Sequence, residues 1–168
     1  MIEMFVTAIA LDIRNNNPLV ILNDSSKKRA LPIWIGQPEA QAIARALEGF
    51  ESQRPLTHDL MLEIVDLSGY KVHHIEINDL NDNTYYAAII LESSSGELVS
   101  LDSRPSDAIT LSLKTDCPIM ITQDVYDQGT VPTEMGLEEA DEHDDTEAFK
   151  NFIQNVKASD FKLDDDRH

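Results

Sequence analysis

Short apolar runs separated by polar turns occur in both halves of the chain and predict two sets of three β-strands. The predicted strands are residues 4–13, 19–23, 31–35, 70–78, 84–92 and 97–102. The turns within each set are short, so consecutive strands can pair only as antiparallel neighbours. In the fourth strand the apolar phase changes between Val72 and Ile75, which indicates a bulge near His73 and His74.

Helical spacing of apolar residues predicts an amphipathic helix after each strand set and a further helix between the two sets. The first covers residues 38–49, and the last runs from Pro105 to Lys114, followed by a short strand at residues 118–122. The helix between the sets is expected to open at Pro55, because proline is tolerated in a first helical turn. Its predicted buried stripe consists of Leu56, Leu60, Ile64 and Leu67.

The two halves share one order of elements, three strands followed by a helix. In each half a proline and then an acid-alanine pair stand at the start of the helix, with Glu39-Ala40 in the first half and Asp107-Ala108 in the second. A repeated order of elements suggests an internal duplication. We therefore predict an α+β fold made of a duplicated three-strand-plus-helix unit, with a mostly antiparallel sheet and helices packed on it.

The length of 168 residues suits one domain, which we place at residues 1–130. Residues 131–168 are predicted to hold an acidic linker, an amphipathic helix and a disordered tail. The longest uninterrupted apolar run, residues 87–91, is far too short to span a membrane. A single cysteine, and an N-terminus without a basic and then apolar signal pattern, favour a cytoplasmic location.

The chain carries 31 acidic side chains against 13 lysines and arginines, a net charge of −18. Such a charge repels polyanions at long range, so any RNA or DNA is expected to bind weakly. The sequence has no phosphate-binding glycine loop, dinucleotide fingerprint, zinc-type cysteine and histidine spacing or nucleophile elbow. These absences argue against the corresponding protein classes, and no organic cofactor is expected.

Two polar clusters, residues 54–59 and residues 102–107, stand where helices are predicted to begin. Each holds an Arg-Pro step followed by a carboxylate. Arginine can bind phosphate through two hydrogen bonds, histidine exchanges protons near neutral pH, and carboxylates hold Mg²⁺ or Mn²⁺. The same residues also suit a structural role, since acids in a first helical turn stabilise the helix dipole and can pair with arginine. Trp34, at the end of the third strand, is expected to serve packing rather than base stacking.

Four sequence blocks resemble the bifunctional nuclease family. They are LPIWIGQPEAQAIARALEG at residues 31–49, RPLTHDL at 54–60, LDSRPSDAI at 101–109 and CPIMI at 117–121. The resemblance extends over residues 3–130. It implies an α+β domain with a duplicated strand-helix unit, an oligomeric assembly, and nuclease activity on both RNA and DNA.

The resemblance also implies roles for individual residues of these blocks. The implied catalytic residues are His58, Asp59, Asp102 and Asp107, and the implied substrate-binding residues are Arg54, Arg104 and Ser106. The implied ligands of Mg²⁺ or Mn²⁺ are Glu39, Asp59 and Asp107. Carboxylate oxygens that converge on one point would favour a metal-assisted phosphodiesterase. The alternative is a non-catalytic ligand-binding or regulatory module that uses the same clusters.

The strand at residues 84–92 is apolar on both faces, which implies cover on both of its sides. A small acidic domain is expected to find part of this cover in a second copy of itself. We therefore expect a homo-oligomer, most simply a two-fold dimer.

Overall fold

Two three-stranded antiparallel meanders make up most of an eight-stranded sheet in the computed structural model, which describes residues 1–133. The strands are β1 (Ile2–Leu11), β2 (Pro18–Asp24), β3 (Arg29–Trp34), β4 (Tyr70–Asn81), β5 (Thr84–Ser93), β6 (Leu98–Ser103), β7 (Ile119–Ile121) and β8 (Val131–Pro132). The helices of this part of the chain are α1 (Gln37–Leu47), α2 (Thr57–Leu67), α3 (Pro105–Thr115) and α4 (Gln123–Gly129). The strand order is β6-β5-β4-β7-β1-β2-β3-β8.

Strand β7 joins the two meanders in the middle of the sheet. It runs parallel to β4, with Ile75 opposite Ile119, and antiparallel to β1, with Met4 opposite the same Ile119. The meanders extend away from β7 on its two sides, as β4-β5-β6 and as β1-β2-β3. The predicted α+β fold with a mostly antiparallel sheet is confirmed, and each meander leads into a helix as the repeat requires.

The main core lies between one face of the sheet and the helices α1, α3 and α4. Its fully buried large side chains include Leu22, Leu31, Ile43, Ile75 and Ile109. Full burial of such a side chain contributes about 1.5–3 kcal/mol. The two repeated helices, α1 and α3, contact each other on this face. Their first turns can therefore contribute side chains to a common site.

Helix α2, between the meanders, differs from its prediction in two ways. It begins at Thr57 rather than at Pro55. The stripe predicted to be buried is exposed, because Leu60, Ile64 and Leu67 keep 51%, 57% and 86% of their accessible surface. Other apolar side chains of α2, such as Met61, pack against the core instead. Three acids occupy one side of the helix and apolar residues most of the rest, so its periodicity does not decide which part of this broad apolar surface is buried.

Two short elements, α4 and β8, are absent from the sequence prediction. Thr122 caps α4 by accepting a hydrogen bond from the Val125 amide at 3.3 Å. β8 pairs with Arg29 and Ala30 of β3 and so extends the sheet beyond residue 130. The predicted bulge in β4 is confirmed, since the register with β5 shifts between Val72 and His74.

The predicted C-terminal helix and tail lie outside the described residues. Within residues 1–133, no helix is both long enough and apolar enough to cross a membrane. Strand β5 buries both of its faces within one chain, as shown by Ala87, Ala88, Ile89 and Ile90. The cover that this strand was expected to need from a second copy is therefore supplied by the chain itself.

Candidate functional site

The two repeated helices each place a carboxylate at their third residue, Glu39 in α1 and Asp107 in α3. Both carboxylates bind Arg104, the residue immediately before α3. Glu39 Oε1 lies 3.0 Å from Arg104 Nη1, and Asp107 Oδ2 lies 2.7 Å from Arg104 Nε. The acids at equivalent positions of the two halves therefore bind the same guanidinium, which agrees with the duplication predicted from the order of elements.

Asp107 is the centre of this group, since it binds Arg104 and His58 at once. Arg104 donates two hydrogen bonds to it, from Nε to Oδ2 at 2.7 Å and from Nη2 to Oδ1 at 3.1 Å. His58 Nε2, on α2, lies 3.0 Å from the same Oδ1. Burial raises the pKa of Asp107, but the hydrogen bonds from Arg104 and His58 outweigh burial and hold that pKa below its usual range. We call Glu39, His58, Arg104 and Asp107 the Arg104 cluster.

The charge of Asp107 determines the form of the His58 ring. An ionised carboxylate can only accept hydrogen bonds, so the proton shared by the two groups belongs to His58 Nε2. In a neutral ring the second nitrogen, Nδ1, then carries a lone pair. A histidine that is oriented by a carboxylate in this way is arranged to act as a general base.

Arg104 is accessible in spite of its ion pairs, because its side chain is 63% exposed. It lies between two open grooves. The Trp34 groove, about 570 Å³ in volume, is lined by Ile33, Trp34, Ile35, Gly36, Glu39, Asn83, Thr84, Tyr85, Arg104, Pro105 and Ser106. The Asp102 groove, about 460 Å³, is lined by Met61, Thr84, Tyr85, Tyr86, Ile89, Leu101, Asp102, Ser103, Arg104 and Asp107. Because Arg104 and Tyr85 line both grooves, one extended ligand can reach both sides of the guanidinium.

The structure brings some of the predicted site residues to this place and leaves others apart. Asp102 is exposed in its groove, at the end of β6 beside Arg104. Ser106 is buried at the start of α3 and lines the Trp34 groove. Arg54 is exposed in the loop before α2 and lines neither groove. It therefore lies outside the Arg104 cluster.

Asp59 is committed to other partners. Its Oδ1 lies 2.6 Å from Lys114 Nζ on α3, and its Oδ2 accepts a hydrogen bond from the Leu56 amide at 2.9 Å. The hydrogen bond from Lys114 is the largest of the effects that hold the pKa of Asp59 below its usual range. These contacts cap α2 and tie it to α3, which positions the neighbouring His58 over Asp107.

The three implied metal ligands do not share a site. In the part of the chain that the structure describes, no three His, Cys, Asp or Glu side chains lie together as a metal centre needs. The positive group between Glu39 and Asp107 is the Arg104 guanidinium, and Asp59 is held by Lys114. The residues therefore do not fit the three-carboxylate magnesium or manganese site that the resemblance implies.

We predict that Asp59→Asn destabilises the fold more than it impairs the chemistry of the Arg104 cluster, because it removes none of the hydrogen bonds within the cluster. The side chain of Asp59 is 32% exposed, so solvent screening limits the loss to about 1 kcal/mol. The folded-state pKa of Asp59 is lowered, so its stabilising effect is present above the unfolded pKa of about 3.9 and disappears as pH falls through the folded value. Urea unfolding of both proteins from neutral to acid pH measures this difference.

A stability difference that persists at the lowest pH would contradict this explanation. If a folded Asp59→Asn protein cleaves more than about tenfold more slowly, Asp59 takes part in catalysis, since loss of a general acid or base costs at least that much.

Sequence reasoning missed three side chains that shape the site. Lys114, in the last turn of α3, binds Asp59 across two helices, and Tyr85 lines both grooves. Trp34, expected to serve packing, is 51% exposed. The packing of the elements would have been needed to find them. Trp34 and Tyr85 lie on other strands, and Lys114, at the far end of α3 from Asp107, meets Asp59 only because α2 packs against α3.

Comparison with known proteins identifies relatives over most of the chain. Residues 20–134 match the model of the bifunctional nuclease domain. An uncharacterized protein of Mycobacterium tuberculosis is 36% identical over 164 residues, which cover 95% of this chain and 98% of that protein. Bifunctional nuclease 1 of Oryza sativa subsp. japonica is 28% identical over 130 residues, covering 68% of this chain and 39% of the rice protein.

Bifunctional nuclease 1 of Arabidopsis thaliana is 27% identical over 110 residues, covering 64% of this chain and 34% of the plant protein. The plant relatives are therefore much longer than the region they share with this chain. The matched domain, residues 20–134, contains the whole Arg104 cluster. The family expected from the four sequence blocks is confirmed, and this chain belongs to the bifunctional nuclease domain family.

Proposed function

We propose that this chain hydrolyses phosphodiester bonds of RNA and DNA, with the Arg104 cluster as its active site. One observation carries the proposal: two carboxylates hold Arg104 in place, yet its side chain is 63% exposed between two grooves. Membership of the bifunctional nuclease domain family supports the class of reaction. The names of the plant relatives support it as well.

Arg104 can bind a phosphate without leaving its partners. Each terminal nitrogen of a guanidinium carries two N–H groups. Arg104 uses one N–H of Nη1 for Glu39 and one of Nη2 for Asp107. An N–H on each terminal nitrogen is left for a phosphate oxygen, where it would stabilise the charge that develops during hydrolysis. The two carboxylates orient the fork and keep it from turning away.

His58 supplies the proton transfer in this proposal. Its Nε2–H is held by Asp107, and its Nδ1 would accept a proton from the attacking water as the bond between phosphorus and the leaving sugar oxygen breaks, while that oxygen takes up a proton from solvent. Asp107 stabilises the imidazolium that results, as the acid does in other acid–histidine–nucleophile systems. Proton transfer of this kind contributes about 10²–10⁴-fold to the rate.

The proposal is tested by incubating the purified chain with end-labelled single-stranded RNA and single-stranded DNA. Cleavage of both is the expected result, and cleavage of neither, with or without added Mg²⁺ or Mn²⁺, would contradict the proposal. Binding without cleavage would favour the alternative, a non-catalytic ligand-binding module. An EDTA arm tests the divalent-metal requirement that the resemblance implies, whereas the steps assigned to the Arg104 cluster require no metal.

We also propose that two copies of the chain assemble through α2 and β6. The stripe Leu60, Ile64 and Leu67 of α2 is exposed, and so are Leu98, Val99 and Leu101 of β6. Met61 of α2 and Leu101 of β6 line the Asp102 groove, so the helix and the strand approach each other there. Exposed apolar surface of this extent is typical of association sites, and β6, as an outer strand, also offers unpaired backbone groups.

Light scattering is expected to give a mass of twice 18.8 kDa at micromolar concentration. The variant Ile64→Glu is expected to be monomeric, because it places a charge in the apolar stripe. The matched control Gln128→Glu adds the same charge on the exposed side of α4 and should remain dimeric. A wild-type mass of 18.8 kDa would rule out the assembly.

A further inference from the structure

We infer that the Trp34 groove is a nucleotide subsite, in which the indole of Trp34 stacks on an unpaired base while Arg104 binds the adjacent phosphate. This inference rests on the proposed function for the phosphate and adds the class of substrate, single-stranded nucleic acid. Trp34 lies in the first of the four sequence blocks, but no step of the proposed chemistry uses it.

Trp34 is unusual because it is exposed and yet held in one orientation. It ends β3 with 51% of its surface accessible, although an indole is among the most favourable groups to bury. Its Nε1–H donates to Asp12 Oδ2 at 3.3 Å. Asp12 is itself only 7% exposed and accepts a hydrogen bond from the Arg14 amide at 2.9 Å. A buried carboxylate thus orients the ring while leaving its surface open to a ligand.

The chemistry of the groove matches one nucleotide. Its volume of about 570 Å³ lies within the usual range of ligand pockets. Its floor is largely apolar, formed by Ile33, Ile35 and Pro105, as a base requires. Arg104 and Glu39 are its charged lining residues and offset each other. The lining of the groove therefore carries no net charge, in contrast to the whole chain at −18.

Stacking on a protein side chain requires a base whose face is free. Bases in a duplex are covered on both faces, whereas those in single strands and loops can be turned out onto an aromatic ring. The subsite contacts the face of the base and the phosphate, and neither contact involves the 2′-OH that distinguishes RNA from DNA. The subsite accordingly predicts that the chain prefers single strands and accepts both RNA and DNA.

Trp34 is the sole tryptophan of the chain, so its fluorescence reports directly on the subsite. The probe is a pentathymidylate with phosphorothioate linkages, chosen to resist cleavage. We expect saturable quenching or a shift of the Trp34 emission by this probe. Inorganic phosphate and ribose 5-phosphate should leave the emission unchanged, because they can bind Arg104 but bring no base.

Variants then measure how much the ring contributes to binding. Fluorescence anisotropy of a labelled pentathymidylate is expected to give at least about fivefold weaker binding for Trp34→Ala, the lower bound for loss of one base–aromatic stack. Trp34→Phe should recover part of the loss. Phe5→Ala removes an aromatic side chain of similar exposure (46%) that lines neither groove, and it should bind as the wild type does.

The outcomes separate the subsite from the nuclease proposal. Quenching without cleavage of natural RNA would keep the subsite and contradict the nuclease. Cleavage without quenching, equal binding by Trp34→Ala, or no binding of the probe at all would overturn the subsite. If Trp34→Ala does not fold, the titration of the wild-type chain alone decides, since it needs no variant.

Discussion

Replacing Asp107 by asparagine is expected to lower the cleavage rate of single-stranded RNA by at least about 100-fold, the lower range for loss of an assisted proton transfer. The carboxylate makes two hydrogen bonds with Arg104 and one with His58. An asparagine side chain has one oxygen and one NH₂ group, so it cannot accept at both positions. The substitution therefore disturbs the orientation of Arg104 and also removes the group that holds the proton on His58 Nε2.

Asp124→Asn is the matched control for this variant. Asp124 lies in the first turn of α4 and is exposed, so the substitution removes the same charge from the same part of a helix. Each change weakens a helix dipole interaction of about 0.3–1 kcal/mol, so both proteins should fold. Equal cleavage rates for the two variants would show that Asp107 has only the structural role of a first-turn acid.

Replacing Arg104 by alanine is expected to lower kcat/KM by about 100-fold, the usual cost of one lost donor to a developing oxyanion. The variant also leaves Glu39 and Asp107 facing a phosphate without their cation. Arg104→Lys should recover part of the loss, because it keeps the charge but cannot form the fork. Kinetics on single-stranded RNA, with thermal unfolding of the same samples, measures both effects.

Because Arg104 is exposed, a catalytic role and a structural role predict different effects of its loss on stability. The arginine side chain is 63% exposed while its partners Glu39 and Asp107 are 20% and 23% exposed, so the loss of these screened pairs should change stability by about 1 kcal/mol. A large fall in melting temperature with normal turnover of the folded fraction would show that the arginine is structural.

The strands and the two repeated helices could be predicted because their signals are local. Alternating or continuous apolar runs end at short turns, and the β4–β5 turn even carries Asp82 and Asn83 in the left-handed conformation that such hairpins need. The joining of the two meanders could not be predicted in this way. It depends on β7, a strand of only three residues, pairing with β4 and β1.

Helix α2 shows where periodicity fails. Its sequence offers one apolar face with Leu60 and Ile64 and another with Met61 and Val65. The second face is turned inward, and the same rotation brings His58 to Asp107. A helix with so broad an apolar surface can bury more than one side, and the side buried here is the one that lets His58 contact Asp107 of α3, which no local pattern in α2 reveals.

The candidate site was predictable in composition but not in arrangement. The polar clusters contain three members of the Arg104 cluster, His58, Arg104 and Asp107, and the resemblance adds the fourth, Glu39. The resemblance also groups Asp59 with them as a metal ligand, because an acid beside a histidine looks the same in sequence whether it faces a groove or a lysine. Lys114 of α3 makes that distinction, and its approach depends on how the helices pack.

The joint action of His58 and Asp107 in catalysis is tested most directly by a double-mutant cycle, which compares the cleavage rates of His58→Gln, Asp107→Asn and the double variant. If His58 and Asp107 act as one unit, the double variant should be no slower than the slower single variant, as is found for groups that work together. Losses that multiply, so that two 100-fold effects give about 10⁴-fold, would mean independent roles. Single variants as fast as the wild-type chain would place the active site elsewhere.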